Sequence, residues 1–289
     1  MREALFYVHE DEQVRCTLCP RLCLLEEGQT GFCRGRQVIE GKLMAVNYAK
    51  CVSVSVDPIE KKPLFHFHPG SRIVSLGPNS CNLSCAFCQN WEISQEICST
   101  RDVSVQELLG IVASHNPTQV AFTYTEPLMW YEYILDFALI APDVEIVLVT
   151  NAYINEVPFR AMLPHVAAMN IDLKSIRSEF YVQTCGGDIE IVKNNIRSAY
   201  EAGVHLEITN LLIPGLNDSP SELKELALYV ASIDDAIPFH ISGYHPSFKL
   251  NIRATRADEV EEACDIVSQY LQRVYAGNVF IPRYSRGSR

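Results

Sequence analysis

From residue 71 onward, short apolar runs of strand length alternate with longer stretches in which apolar residues recur at helical spacing. The apolar runs predict β-strands at residues 73–76, 119–124, 145–149, 168–173, 205–212 and 238–242. The run at 145–149 is almost wholly apolar, as is typical of a strand that is covered on both faces. Helices are predicted at residues 104–115, 128–140, 189–202 and 255–272, and another begins after Ser219.

Capping residues support these helix starts. Ser104 and Glu107 form a capping box, and Ser219 is followed by Pro220, which favours the first turn of a helix. About six βα units therefore follow one another, and right-handed crossovers would wind them into an open or partial barrel. The predicted fold class is α/β, a partial (β/α)6 TIM-like barrel, in which chemistry gathers at the C-terminal ends of the strands.

The first 70 residues have a different composition, with cysteines, glycines and prolines in place of long apolar runs. A hairpin is predicted over residues 38–48, with its turn at Glu40-Gly41. A proline-bounded linker carries His66 and His68, which share a face on an extended segment and could bind a metal or pack as polar groups. We therefore predict a cysteine-rich N-terminal metal-binding domain and linker at residues 1–70 and a barrel domain at residues 71–289.

Composition limits the kinds of partner. The 289 residues, 48% of them hydrophobic, suffice for one barrel with an appendage. A net charge of −11 argues against nucleic acid, because neutralising phosphates needs clustered basic groups. There is no apolar run of about twenty residues and no signal-peptide core at the N-terminus, so we expect no membrane partner and a cytoplasmic location. A reducing compartment would keep the eleven cysteines available for metal.

Three cysteines, Cys81, Cys85 and Cys88, follow the first predicted barrel strand at x3 and x2 spacing. This spacing fits one tight loop that reaches three corners of an iron–sulfur cube, which usually has four thiolate ligands. The fourth iron would be open to a small molecule. The alternatives are three reduced thiols or part of a zinc site, but zinc sites usually pair C-x2-C knuckles, and none follows before Cys98.

A second cysteine set in the N-terminal segment consists of Cys16, Cys19, Cys23 and Cys33, at x2, x3 and x9 spacing. The segment is rich in turns and too short to have a core of its own, so a bound metal would nucleate it. Structural zinc and an auxiliary iron–sulfur cluster are both compatible with this spacing, and free thiols are the remaining alternative.

Polar side chains stand at the ends of five successive predicted strands. The candidates are Thr125, Glu126, Thr150, Asn151, Asp172, Lys174, Glu207, Asn210 and His240. Asp172 and Lys174 are two residues apart and therefore share one face of their strand. Ordinary surface polarity would explain any one of these positions, but their repetition along the predicted rim favours a pocket.

The motif C-x3-C-x2-C with Phe87 before its last cysteine resembles the signature of the radical S-adenosylmethionine (SAM) superfamily. The resemblance implies a 4Fe-4S cluster whose open iron chelates the amino and carboxylate groups of SAM. It also implies reductive cleavage of SAM to a 5′-deoxyadenosyl radical. Such a reaction needs an electron donor of the ferredoxin or flavodoxin type.

Within that superfamily the chain resembles the pyruvate formate-lyase activating enzyme branch. The resemblance implies that Phe87 contacts adenine and that Glu126 binds the SAM amino group, although Tyr124 and Thr125 replace the glycines of the branch. The segment Asp172-Leu-Lys174 matches an Asp-Leu-Lys motif, and His240 falls where the branch has a ribose-side histidine. An acid, amides, hydroxyls and an aromatic ring complement the functional groups of SAM.

A narrower resemblance, to the AmmeMemoRadiSam group, includes the Cys16-x2-Cys19-Pro motif, residues 57–64 and 67–70, and residues 88–94 and 239–246. It implies Memo-like and AMMECR-like partner proteins. Many relatives carry another cysteine pair near the C-terminus, which residues 278–289 lack.

The remaining candidates are single residues. Cys185 precedes two glycines and could donate a hydrogen atom in the pocket, or it could be an ordinary turn thiol. Tyr244 and His245 follow the sixth strand and are candidates for substrate contact. Cys51 and Cys264 are predicted to be buried as small apolar residues.

The leading hypothesis is a radical SAM enzyme that abstracts hydrogen from a small-molecule or peptide substrate, with the cofactor carrying the chemistry. Activation of a glycyl-radical partner protein is the alternative within this class. A non-catalytic iron–sulfur or zinc protein, acting as a scaffold or electron carrier, is the alternative outside it.

Overall fold

A mainly parallel sheet forms the centre of the molecule, which we describe from a computed structural model over residues 1–114 and 119–285. The strands are β1 Arg2–Glu3, β2 Tyr7–Glu10, β3 Gln13–Cys16, β4 Leu24–Leu25, β5 Arg36–Ile39, β6 Lys42–Ala45, β7 Lys50–Pro58, β8 Arg72–Pro78, β9 Arg101–Asp102, β10 Gln119–Phe122, β11 Glu145–Thr150, β12 Ala168–Asp172, β13 His205–Leu212, β14 Phe239–Gly243 and β15 Val274–Gly277. The α-helices are α1 Trp91–Ser94, α2 Val105–Ser114, α3 Tyr131–Ile140, α4 Glu156–Met162, α5 Ser178–Phe180, α6 Ile189–Glu201, α7 Pro220–Ala231 and α8 Ala257–Val267. Short 3-10 turns span Ile59–Lys61, Pro127–Trp130 and Leu163–His165, and a π-helical turn spans Tyr181–Cys185.

The central sheet has the order β15-β14-β13-β12-β11-β10-β8-β7-β9. All neighbours from β8 to β15 are parallel, and β7 pairs antiparallel with β8. Six βα units run from β8 to α8, and β15 follows them. This arrangement confirms the predicted α/β class and the partial barrel.

Most predicted elements are present, with shifted ends. Ser104 and Ser219 cap their helices by accepting hydrogen bonds from the N–H groups of Glu107 (3.1 Å) and Glu222 (3.3 Å). The helix predicted at residues 255–272 is shorter, because the chain turns after Ser268 to enter β15, a strand that was not predicted. The predicted end of the helix at His115 lies outside the described residues.

The two faces of the sheet are buried by different parts of the chain. The helices cover the outer face in one large apolar cluster. On the inner face, the linker inserts Ile59 and Leu64, both fully buried, against Ala121, Val147 and Ala168 near the N-terminal ends of the strands. The linker therefore closes the bottom of the barrel and leaves the C-terminal ends of the strands open.

The N-terminal segment forms two small sheets, β1-β6-β5 and β2-β3-β4. The predicted hairpin is β5–β6, and both of its turn residues, Glu40 and Gly41, have positive φ (52° and 71°). Strand β7 precedes residue 70 but pairs along its length with β8, so the central sheet extends across the predicted domain boundary. Within the described ranges, the molecule has no helix with the length and apolar content needed to span a membrane.

Candidate active site

The loop after β8 brings Cys81, Cys85 and Cys88 to one cavity of about 300 Å³ at the C-terminal edge of the sheet. Two backbone hydrogen bonds, each 2.8 Å long, hold this loop: Ser84 N–H donates to the carbonyl of Cys185, and Ala86 N–H donates to that of Thr184. We call residues 81–88 the cluster loop. Its fixed backbone presents three thiols to one space.

The surroundings of the three sulfurs fit an iron–sulfur cluster. Asn151 Nδ2 lies 3.8 Å from Cys81 Sγ, and Ser94 Oγ lies 3.1 Å from Cys88 Sγ, so polar hydrogens can face both sulfurs. Among the described residues, no three His, Cys, Asp or Glu side chains are grouped as ligands of a single metal ion. In a cubane each cysteine binds a different iron, so its thiolates need not converge on one ion.

The cavity wall contains five of the residues predicted to contact SAM, which are Phe87, Thr125, Asn151, Asp172 and Lys174. Lys174 Nζ donates to Asp172 Oδ2 at 2.8 Å and lies 5.9 Å from the centroid of the Phe87 ring. Although burial acts in the opposite direction, the negative charge of Asp172 holds the pKa of Lys174 well above its usual value. The cavity thus combines an aromatic ring, an amide, a hydroxyl and a fixed ion pair.

Glu126 and Thr150 lie behind this wall. Glu126 is buried and accepts hydrogen bonds from Leu128 N (3.0 Å), Thr150 Oγ1 (2.7 Å) and Asn151 N (2.8 Å). Burial raises the pKa of Glu126 to about 7, although these donors favour the carboxylate. In this structure Glu126 therefore holds Asn151 in position, and it is not among the residues that line the cavity.

Glu207 and His240 lie one layer deeper, in the floor of the barrel. Glu207 accepts hydrogen bonds from His240 Nε2 (2.6 Å), from His205 Nε2 (3.1 Å), and from the linker N–H groups of Phe65 (3.0 Å) and His66 (2.7 Å). Burial raises the pKa of Glu207, but the hydrogen bonds from the two histidines outweigh it and lower the pKa to about 2. These two side chains thus fasten the linker to the strands.

Three other candidates also lie away from the cavity lining. Asn210 donates to the carbonyls of Leu173 (2.8 Å) and Lys174 (3.2 Å), on the opposite side of β13 from Glu207. The Tyr244 hydroxyl is turned inward and donates to the carbonyl of Leu250 (2.6 Å). Cys185 is fully buried against the cluster loop, where its hydrogen bond to Cys85 lowers the pKa of the Cys85 thiol.

The cavity also has lining residues that were not predicted. Ser242 lies two residues after His240 on β14, and the strand period could have identified it. Asn278 follows β15 and was missed along with that strand. Tyr124 lines the cavity with φ of 71°, a conformation that favours glycine, at a position that the predicted resemblance aligns with glycine.

The four N-terminal cysteines, Cys16, Cys19, Cys23 and Cys33, also meet, lining a second and smaller pocket together with Arg36. Burial raises the pKa of Cys16 to about 11 and that of Cys19 to about 12. The two histidines of the linker contact different residues: His66 contacts Tyr275, and His68 contacts Glu145. Cys51 and Cys264 are buried, as predicted.

Other proteins are similar to this chain in sequence, and solved structures are similar to it in fold. An uncharacterised protein of Methanocaldococcus jannaschii is 40% identical over 288 residues, covering 96% of this chain and 86% of its own length. The pyruvate formate-lyase-activating enzyme of Staphylococcus epidermidis is 25% identical over 194 residues, covering 61% of this chain and 76% of its own length.

Among solved structures, a radical SAM methyltransferase from Sphaerobacter thermophilus has a similar fold, with a TM-score of 0.59 at 17% identity, over 77% of this chain and 69% of that one. Streptococcus suis SuiB bound to S-adenosylmethionine matches with a TM-score of 0.55 at 12% identity, over 68% of this chain and 48% of that one. The family described as the radical SAM superfamily matches residues 77–227, more than half of the sequence. The predicted relationship is confirmed: this chain is an enzyme that belongs to the radical SAM superfamily.

Proposed function

We propose that the enzyme binds a 4Fe-4S cluster through Cys81, Cys85 and Cys88, and that it cleaves SAM reductively to abstract hydrogen from a small-molecule or peptide substrate. When bound, the cluster supplies the electron that breaks a carbon–sulfur bond of SAM. The observation that carries this proposal is the shared cavity, in which three thiols of one loop face Asp172, Lys174 and the other polar strand ends.

The residues of the chain would bind and orient SAM. Phe87 offers a ring face to adenine, and the pair of Lys174 and Asp172 offers both charges to polar groups. Asn151 and Thr125 add amide and hydroxyl contacts at neighbouring strand ends. We propose that Glu126 and Thr150 act indirectly, by fixing the backbone of Asn151.

The barrel floor would exclude water from the reacting atoms. Leu64 and the ion pair of Glu207 with His240 are buried beneath the cavity, and Pro63 of the linker lines it. A radical needs protection from side reactions, and a closed floor leaves the open edge as the route for substrate. The Asn210 side chain would support the strand that carries Lys174 through its hydrogen bond to the Lys174 carbonyl.

Anaerobic reconstitution with iron and sulfide tests the proposed function. Wild type with a reductant and SAM should release 5′-deoxyadenosine, and Cys85→Ala should abolish this release because one cluster ligand is lost. Cys98→Ala is a matched control, since Cys98 lies just beyond the cluster loop and outside the cavity lining. A wild type that holds a full cluster and still releases no 5′-deoxyadenosine would refute the proposal.

Activation of a glycyl-radical enzyme is a second candidate, supported by the similarity to pyruvate formate-lyase-activating enzymes. An activase would leave a stable radical on an added partner protein, whereas a modifying enzyme would release a changed small molecule or peptide. Electron paramagnetic resonance (EPR) of the partner and mass spectrometry of the products distinguish the two. A ferredoxin or flavodoxin would supply electrons in either case, and Memo-like and AMMECR-like proteins are the proposed partners.

We also propose that, within the predicted domain of residues 1–70, the part that precedes β7 binds a metal in a cytoplasmic protein, with zinc or an auxiliary iron–sulfur cluster at Cys16, Cys19, Cys23 and Cys33. Their shared pocket supports this proposal. Metal analysis of a Cys16→Ser/Cys19→Ser double variant tests it: one metal centre should disappear while the centre at the cluster loop remains detectable.

A further inference from the structure

Arg21 joins the two cysteine sites. It lies two residues after Cys19, and its guanidinium carbon stacks 3.9 Å from the centroid of the Phe32 ring. From there Nε donates to the carbonyl of Asn82 at 2.9 Å, and Nη2 donates to the carbonyl of Gly186. Asn82 directly follows Cys81, so one side chain of the N-terminal segment is fixed to the cluster loop.

The second acceptor of Arg21 belongs to the segment that supports the cluster loop. Gly186 follows Cys185, whose carbonyl accepts the hydrogen bond from Ser84 N–H. Arg21 therefore clamps the loop and its support together. A guanidinium that donates to two carbonyls makes charge-assisted hydrogen bonds, which are stronger than bonds between neutral groups.

A second connection runs parallel to the first. Asn155 lies in the loop between β11 and α4. Its backbone N–H donates to the carbonyl of Leu18 (3.1 Å), and its side chain donates to the carbonyl of Thr17 (2.8 Å). Both acceptors lie between Cys16 and Cys19. Four residues earlier, Asn151 Nδ2 reaches Asn82 Oδ1 (3.2 Å) and Cys81 Sγ. One short loop thus contacts both cysteine groups.

The N-terminal site places a buried cation beside its four cysteines. Arg36 is buried, lines the pocket of the four cysteines, and forms an ion pair with buried Glu132 at 2.8 Å. Neither Nη1 nor Nη2 of Arg36 makes a hydrogen bond among the described residues, although Nη2 lies within ion-pair distance of Glu132. A buried donor without an acceptor is costly, and sulfur ligands that carry negative charge would satisfy it. The described chain around these cysteines has only the short strands β3, β4 and β5, so a bound metal would fix the position of Arg21.

We propose that the four N-terminal cysteines, which line one pocket without forming a ready-made site for a single ion, close around a tetrathiolate metal centre that, through Arg21, holds the cluster loop in its ligand-presenting conformation. Occupancy of the first site then controls how firmly the second holds its cluster, and Arg21 is a positioning residue. The inference rests on the proposed function in one respect, namely that Cys81, Cys85 and Cys88 bind a cluster.

The test compares Arg21→Gln with Arg15→Gln in anaerobically reconstituted protein. Arg15 is a matched control, because it lies in the same segment and donates to Glu10 and to the carbonyl of Leu22, not to the barrel. One EPR signal should change when SAM is added, and that signal belongs to the cluster with an open iron. The measurement is the rate at which an iron chelator removes this signal. Metal analysis of the same samples reports zinc or additional iron in the N-terminal site.

Arg21→Gln should lose this signal about tenfold faster than wild type, because both charged hydrogen bonds are removed. Arg15→Gln should stay within about twofold of wild type, and Arg21→Lys should be intermediate because it keeps one charged donor. Cys19→Ser, which removes a ligand of the first site, should show the same acceleration with Arg21 intact.

Equal rates for Arg21→Gln and wild type would overturn the inference. So would a Cys19→Ser protein that lacks the N-terminal metal and yet loses its SAM-sensitive signal at the wild-type rate. If wild type never acquires a SAM-sensitive signal, the proposed function fails instead, and the two failures are therefore distinguishable.

Discussion

At the residue scale, the polar side chains inside the barrel lie at two depths. Asp172 and Lys174 were predicted to share a face, and both line the cavity. Glu207 and His240 also point into the barrel, but they lie one layer lower, where the linker meets the strands. Depth depends on how far each strand is staggered against its neighbours, and that is a property of the assembled sheet.

For Glu126, the sequence predicted that the residue has a role but did not predict its contacts. The resemblance to the activating-enzyme branch implied that Glu126 binds the SAM amino group. In the structure three donors from its own and the next strand end surround it. The positive φ of Tyr124 turns the chain at this point, and no sequence pattern predicts a tyrosine in that conformation.

The raised pKa of Glu126 leads to a prediction for stability. Its pKa of about 7 lies above the ordinary 4.5 because burial disfavours the charged form. The folded chain therefore binds this proton more tightly than the unfolded chain. The resulting stability is complete below about pH 4.5 and is lost as the pH rises through about 7.

Glu126→Gln removes this titration. Between about pH 5 and about pH 8, the free energy of unfolding of the variant should rise relative to wild type by about 1 to 3 kcal/mol. Anaerobic urea unfolding of the cluster-free proteins at several pH values measures the difference. A constant difference across this range would show that Glu126 is already ionised in the folded state at the low end.

At the element scale, the strand and helix pattern was predicted well because the βα units repeat and their caps are local. The linker was not predicted as part of the barrel. Its buried residues, such as Ile59 and Leu64, stand singly among prolines, lysines and histidines and form no periodic pattern. Strand β15 was also missed.

The junction of β8 with the cluster loop depends on Gly77. A Cβ at this position would meet the carbonyl oxygen of Thr123. The N–H of Thr123 donates a hydrogen bond to the carbonyl of Leu76 (2.8 Å), so the Thr123 backbone is held close to β8. Gly77→Ala should therefore separate β8 from β10, lower the free energy of unfolding by about 1 to 3 kcal/mol and reduce iron uptake by the cluster loop. Urea unfolding and iron analysis after reconstitution measure the two effects.

Gly110→Ala is the matched control for this substitution. Gly110 lies in α2, and a Cβ there would face open space, so alanine should stabilise the helix by about 0.5 to 1 kcal/mol. Iron uptake should not change. If the two alanine variants behave alike, close strand approach at Gly77 does not support the cluster loop.

At the scale of the whole molecule, the two cysteine-bearing sites share Arg21 and the Asn151–Asn155 loop as contacts. The sequence identified both cysteine sets, because metal ligands depend on residue type and spacing. It did not predict their connection, because Arg21 and Asn155 are polar residues without a motif. The sequence does not predict the substrate either, because the shape of the cavity selects it. Residues from eight separate segments of the chain form that cavity.

We propose that one iron of a cluster held by Cys81, Cys85 and Cys88 has no protein thiolate and binds SAM. Electron–nuclear double resonance of the reduced, reconstituted enzyme with 15N- and 17O-labelled SAM tests this binding. We expect magnetic coupling between the cluster and the labelled amino and carboxylate atoms. A fully assembled cluster that shows no such coupling at saturating SAM would contradict it.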